Sequence, residues 1–220
     1  PDIVTGVGSQ PNGAAYYTHR LATQTTTSLT ADEIHQLGLD EIQRLRKEMQ
    51  SIMDEVNFDG DLAAFFQHVR DGKWNYYPDT DEGRKAYITD ASAAIENIKS
   101  QLPKFFGLMP KAALVVKRVE AFREQDGAAQ HYYPGTPDGS RAGTYYAHLS
   151  DMRAMPKNQL EVIAYHEGLP GHHMQISIAQ ELQDVPQFRT QAGFTAYSEG
   201  CLLYTSPSPR DVEEYRMPSS

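Results

Sequence analysis

Between Ala31 and about Val56 the apolar residues Ile34, Leu37, Ile42, Leu45, Met49 and Ile52 recur mostly at three- and four-residue steps. That spacing gathers side chains on one face of an α-helix. Thr30 with Glu33 has the form of a capping box, in which hydroxyl and carboxylate satisfy two of the amides that a helix start leaves open. A helix of this length must cover its apolar stripe, so the chain is committed to an architecture of packed helices. Asp61 is suited to cap a second helix carrying Leu62, Phe65, Phe66 and Val69, and a third is expected from Asp81 to about Gln101, ended by Pro103. His35, near the middle of the first helix, reads as structural.

From Leu108 to Leu149 the texture changes. Leu114 to Val119 reads as a short strand, HYYPGTPDGSRAG as a loop, and Thr144 to Leu149 as a second strand. The residues around Pro156 and Asn158 suit a helix start, and Leu160, Ile163 and Ala164 share a face leading into YHEGLPGHHMQ. A last helix is expected after Val185 and Pro186, carrying QAGFTAYSEG. The fold class predicted is mainly α with a small β element. No internal repeat or low-complexity tract precedes residue 201.

With 220 residues, 40% of them hydrophobic, the chain can fill a sizeable core. Its net charge of -9 and pI near 5.3 argue against a nucleic-acid partner, which would demand a basic face. No run approaches the roughly 18 to 20 apolar residues that span a bilayer, so no membrane span is expected in these residues. The opening PDIVTGVGSQPNG is neither basic nor apolar and does not begin with Met. Localisation is therefore open, and export of a longer parent as a periplasmic protein or lipoprotein is compatible with it. The single cysteine, Cys201, begins the run CLLYTSPSPRD, which resembles a translated transposase-type sequencing-library adapter. Pro207 and Pro209 also interrupt the helical texture that precedes it. Residues 1–200 are thus expected to form one domain fragment and residues 201–220 a non-native tail, exposed and poor in contacts beyond Pro207. Without that tail the chain has no cysteine, which excludes disulfides and thiolate metal sites.

The chemistry concentrates in HEGLPGHH. Catalytic zinc is commonly held by two imidazoles and a carboxylate, with a coordination position left for water and a second carboxylate to take its proton. In the usual HExxH form the imidazoles are four apart on one helical face, but His166 and His172 are six apart. Six steps of about 100° put the second ring roughly 120° off the first one's face, so a straight helix fails. Pro170 cannot donate to the His166 carbonyl and Gly171 permits unusual torsions, so a break there is expected to bring His172 back to His166. His173 competes by angle, but its axial offset of about 10.5 Å on a regular helix is too long for one ion. Glu199, 27 residues beyond His172, is the candidate third ligand, and Glu167 the candidate general base. Tyr145, Tyr146 and His148 are candidates to steady the oxyanion of a tetrahedral intermediate, and Arg141 to pair with a substrate carboxylate. Each has a plainer reading: Glu199 as a solvated charge, the tyrosines as packing residues, Arg141 as a tie to Asp138.

HEGLPGHHMQ, preceded by DGSRAGTYYAHL and followed by VPQFR and AYSEG, resembles the bacterial domain of unknown function 885 family, grouped with the zincin-type metallopeptidases. TADEIHQLGLDEIQRLRKEM is similar to that family as well, so the resemblance spans roughly Gly13 to Gly200. It implies a zincin-like helical domain belonging to a longer protein and truncated here at both ends. His166 and His172 match the family's metal-ligand positions and Glu199 its acidic one. The family usually continues EGW with more helix, whereas Gly200 is followed here by Cys201 and the adapter-like run. The function expected first is a zinc (Zn2+) peptidase acting on a peptide or small amide. A zinc hydrolase of a non-peptide amide or ester is the second expectation, and a non-catalytic helical binding protein the third. Glu167 argues against the third, since structural zinc is usually closed by four protein ligands and needs no adjacent carboxylate.

Overall fold

The computed structural model describes residues 6–183, 185, 186, 188, 189 and 193–205, the last two by backbone alone. The chain divides into two compact units, one running to Gly72 and including Phe194–Ala196, the other comprising Lys73–Gly193 and the residues from Tyr197 on.

The first unit holds α1 (Gly13–Thr25), α2 (Ala31–Glu55) and α3 (Leu62–Asp71). The capping box forms: the Thr30 hydroxyl accepts the Glu33 amide at 3.3 Å, and Glu33 Oε2 accepts the Thr30 amide at 2.8 Å. Asp61 Oδ1 likewise accepts the Ala64 amide at 2.8 Å and starts α3. Helix α1 was not anticipated from sequence, because its N-cap Asn12 makes no side-chain cap and its only buried residue is Gly13. On α2, Met53 is fully buried, whereas Leu37, Ile42 and Leu45 remain exposed, as does His35.

The second unit carries the chemistry. Thr80 caps α4 (Asp81–Gln101) through the Gly83 amide, and Tyr87, Ala91, Ala94, Ile95 and Ile98 form its buried stripe. Strands β1 (Leu114–Arg118), β2 (His131–Tyr133) and β3 (Gly143–Ala147) make a three-stranded sheet in the order β1-β3-β2. β1 runs parallel to β3, with Leu114 opposite Gly143, and β2 runs antiparallel to it, with Tyr132 opposite Tyr145. The Val119 amide extends the first pairing by donating to the Ala147 carbonyl at 2.9 Å. Two helices follow, α5 (Lys157–Glu167) and α6 (His172–Glu181). Tyr87, Ile95 and Leu102 pack with Tyr145, Leu149, Met152, Leu160 and Ala164 in one hydrophobic core. The start of α5 has no side-chain cap of its own, and Asn75, 1% exposed, supplies one from far upstream: its Oδ1 accepts the Asn158 amide at 3.1 Å.

Two strand expectations need correction. The second expected strand begins one residue earlier and ends at Ala147, and His131–Tyr133, expected within a loop, is a strand because β3 offers it a free edge. Near the chain's end, Ala196–Cys201 is π-helical and Leu202–Thr205 a further helical turn; Leu202 is fully buried and Leu203 is 70% exposed. The run from Cys201, expected to be a non-native tail without a place in the fold, thus opens on helical residues with Leu202 buried. The last helix expected to carry QAGFTAYSEG is not continuous, because Gly193 and Phe194 are not helical; the expectations for residues 187, 190–192 and 207–220 lie outside the described residues. Among the described residues, no helix is long and apolar enough to cross a membrane.

Candidate metal centre

Helix α5 ends where sequence chemistry forces it to. The Gly168 amide still reaches the Ala164 carbonyl at 2.9 Å, but Pro170, which follows a cis Leu169–Pro170 peptide, has no amide to give to His166. The Gly171 amide donates instead to the Tyr165 carbonyl at 3.0 Å. A Cβ at position 171 would fall on the carbonyl oxygens of Tyr165 and His166, so only glycine fits this break. Helix α6 then restarts at His172, and the two imidazoles meet edge to face with ring centroids 4.7 Å apart.

Glu199 completes the set from the π-helical segment, which Gln175 of α6 fastens by donating from Nε2 to the Tyr197 carbonyl at 2.8 Å. His166 Nε2 stands 3.6 Å from Glu199 Oε2, and His172 Nε2 stands 3.7 Å from Glu199 Oε1. One donor atom from each of the three lies within 4.8 Å of those of the other two. Two ligands about 2.1 Å from one tetrahedral ion are roughly 3.4 Å apart, so the groups already stand near the separations that a single ion imposes. Burial, then the neighbouring His166, lowers the His172 pKa against the pull of Glu199, which favours the neutral imidazole that metal binding needs. Its Nδ1 is buried and has no hydrogen-bond partner among the described residues, leaving Nε2 as the atom turned to Glu199. Two imidazoles and one carboxylate could hold a metal ion and would leave a coordination position open.

Glu167, the last residue of α5, is 7% exposed. Burial, and second the charge of Glu199, push its carboxyl up to about 7, while a hydrogen bond from the Tyr132 backbone amide pulls the other way. A carboxyl poised near neutrality is suited to take a proton and give it up again.

His173 is not turned to this site. Its Nε2 lies 3.0 Å from the Ala112 carbonyl, which can only accept, so that nitrogen carries the hydrogen. Burial holds the ring neutral, with its pKa lowered to about 4, so Nδ1 accepts from the Tyr132 hydroxyl at 2.9 Å. Both nitrogens are engaged, and Tyr132 is thereby tied to α6.

The remaining sequence candidates separate. His148 lines a cavity of about 400 Å³ together with His166 and Glu167, and its ring lies 5.4 Å from that of His131. Tyr145 is fully buried, its hydroxyl 2.9 Å from that of Tyr87. Tyr146 stacks on His131 at 5.3 Å, and the exposed Arg141 sits over the Tyr133 ring at 5.2 Å. Asp138 bonds Ser140, through both its amide and its hydroxyl, rather than serving as a tie for Arg141. Sequence reasoning missed Tyr132, Asn75 and the cavity residues Met155 and Val162, none of which stands in a chemical motif.

No curated protein matches the chain. Among solved structures, it is similar to that of a candidate lipoprotein from Colwellia psychrerythraea, with a TM-score of 0.88 and 30% identity over 96% of this chain. The chain spans 36% of that protein's length. The model of the family described as bacterial protein of unknown function (DUF885) matches residues 3–218. The motif that sets the metal-centre geometry and the match over nearly the whole sequence agree: this chain belongs to the DUF885 family.

Proposed function

We propose that the chain is the metal-bearing part of a zinc-dependent peptidase in which His166, His172 and Glu199 hold the ion and Glu167 is the general base. The observation that carries this reading is the convergence of those three donors beside a buried carboxyl whose pKa is raised toward neutrality. When bound, zinc supplies Lewis acidity, which lowers the pKa of a water and polarises the scissile carbonyl. Glu167 takes the proton of the attacking water and delivers it to the leaving amine. The His173–Tyr132 bond holds the Tyr132 ring against α6. His148, on the wall of the same cavity, offers a ring N–H to the oxyanion of the tetrahedral intermediate. Tyr145, Tyr146 and Arg141 act in this reading as scaffold, since each is engaged by Tyr87, His131 or Tyr133. The similarity to a candidate lipoprotein supports a further reading, that the full-length parent is exported.

The test is metal analysis of the full-length parent combined with Glu167→Gln. The variant is expected to retain one zinc per chain while cleavage of a peptide library falls about 100- to 10,000-fold. A variant that keeps the wild-type rate would remove Glu167 from the chemistry, and a parent that takes up no metal would end the zinc reading.

A further inference from the structure

The cavity beside the metal centre has a composition that selects among substrates. One wall is His166 and Glu167; the rest includes Met155, Val162, Ile163 and three alanines. Its remaining polar residues are neutral glutamines, Ser150 and His148, and its one other acid is Asp151. Among the described residues, neither Lys nor Arg lines it. Arg141, the side chain best suited by type to a carboxylate, lies over Tyr133 and does not contribute to the lining. The Gln130 amide is already engaged, with Oε1 accepting the His148 backbone amide and Nε2 directed at Met155 Sδ. At about 400 Å³ the space suits one large side chain with its adjoining backbone.

We propose that this cavity is the subsite for an uncharged, apolar substrate side chain of leucine or methionine size next to the scissile bond, and that it rejects a carboxylate. The inference rests on the peptidase reading above and gives it a substrate class. Physically, an apolar group entering the cavity leaves water for Met155, Val162 and Ile163. A carboxylate there gives up its hydration, finds no Lys or Arg among the described lining residues to pair with, and faces both Glu167 and Asp151. Val162 and Asp151 are the specificity-determining residues, and both are accessible: Val162 is 49% exposed and Asp151 lies at the exposed rim.

The experiment measures binding rather than turnover, by calorimetry on the zinc-loaded full-length protein. Two near-isosteric probes share a hydroxamate anchor: isocaprohydroxamic acid ends in an isopropyl group, and succinic monohydroxamic acid ends in a carboxylate. The apolar probe is expected to bind about 10- to 100-fold more tightly. Val162→Arg should shrink or reverse that ratio by giving the carboxylate a partner. Asp151→Asn, which leaves the core untouched and keeps an oxygen to accept the Arg153 amide, should shrink it without help from a new cation. Equal affinities in the wild type, failure of both probes to bind a zinc-loaded protein, or a ratio unmoved in both variants overturns the subsite. A protein that takes up no zinc fails earlier, at the peptidase reading itself.

Discussion

A methyl group added at Gly143 would lie 2.6 Å from His173 Nδ1 and closer still to the Tyr132 hydroxyl. The His173 ring has little room to retreat, because it is 1% exposed and bonded at both nitrogens. Gly143→Ala is therefore expected to cost about 1 to 3 kcal/mol through overpacking. Urea unfolding would register this as a lower midpoint with an unchanged slope, and a midpoint equal to wild type would mean the rings have room. The need for this glycine was not legible in sequence, since it depends on a tyrosine upstream and a histidine downstream that only the fold brings together. The meeting of His166 and His172 was legible for the opposite reason, whereas Glu199 was expected beside them from a further helix and from the family resemblance. Two histidines six apart cannot share one face of a straight helix, and Leu-Pro-Gly between them offers a local way to break it.

Among the elements, the long helices were the easiest to read, because capping oxygens and apolar steps are local properties. Strand β2 was hidden, because three residues followed by Pro134 and Gly135 become a strand only when β3 presents an edge. The segment joining β1 to β2 contributes an acid-sensitive tie. Glu124 accepts from Arg118 through Nε at 2.9 Å and Nη2 at 2.6 Å, and from the Leu149 amide at 2.7 Å. The Arg118 hydrogen bonds, with help from the Leu149 amide, hold its carboxyl below the usual 4.5 despite burial. A depressed folded pKa means the ionised form stabilises: the contribution is complete above about pH 4.5 and is lost as pH falls through the lower folded value. Glu124→Gln is thus expected to melt lower than wild type at pH 7. Its melting temperature should then fall less steeply than the wild type's between pH 4.5 and 3. Parallel curves across that range would show that Glu124 plays no part in acid unfolding.

At the scale of the molecule, the donor set joins three segments of one unit, the end of α5, the start of α6 and the π-helical stretch around Glu199. An ion bound there and absent from the unfolded chain stabilises the folded state by about 2.7 kcal/mol at a hundred times its dissociation constant. Zinc is therefore expected to raise the melting temperature, a chelator to return it, and Glu199→Ala to abolish most of the shift; a zinc response unchanged in that variant would place the ion elsewhere. The mainly α architecture was foreseeable because helix signals are local, whereas the parallel pairing of β1 with β3 depends on contacts distant in sequence. The same separation imposes an order during synthesis. Asn75 leaves the ribosome long before α5 and can cap that helix as it forms, but Glu199 follows His172 by 27 residues, roughly 1 to 5 s of translation. For that interval a nascent chain presents two imidazoles without their carboxylate, so under the proposed zinc reading tight ion capture waits for the finished segment.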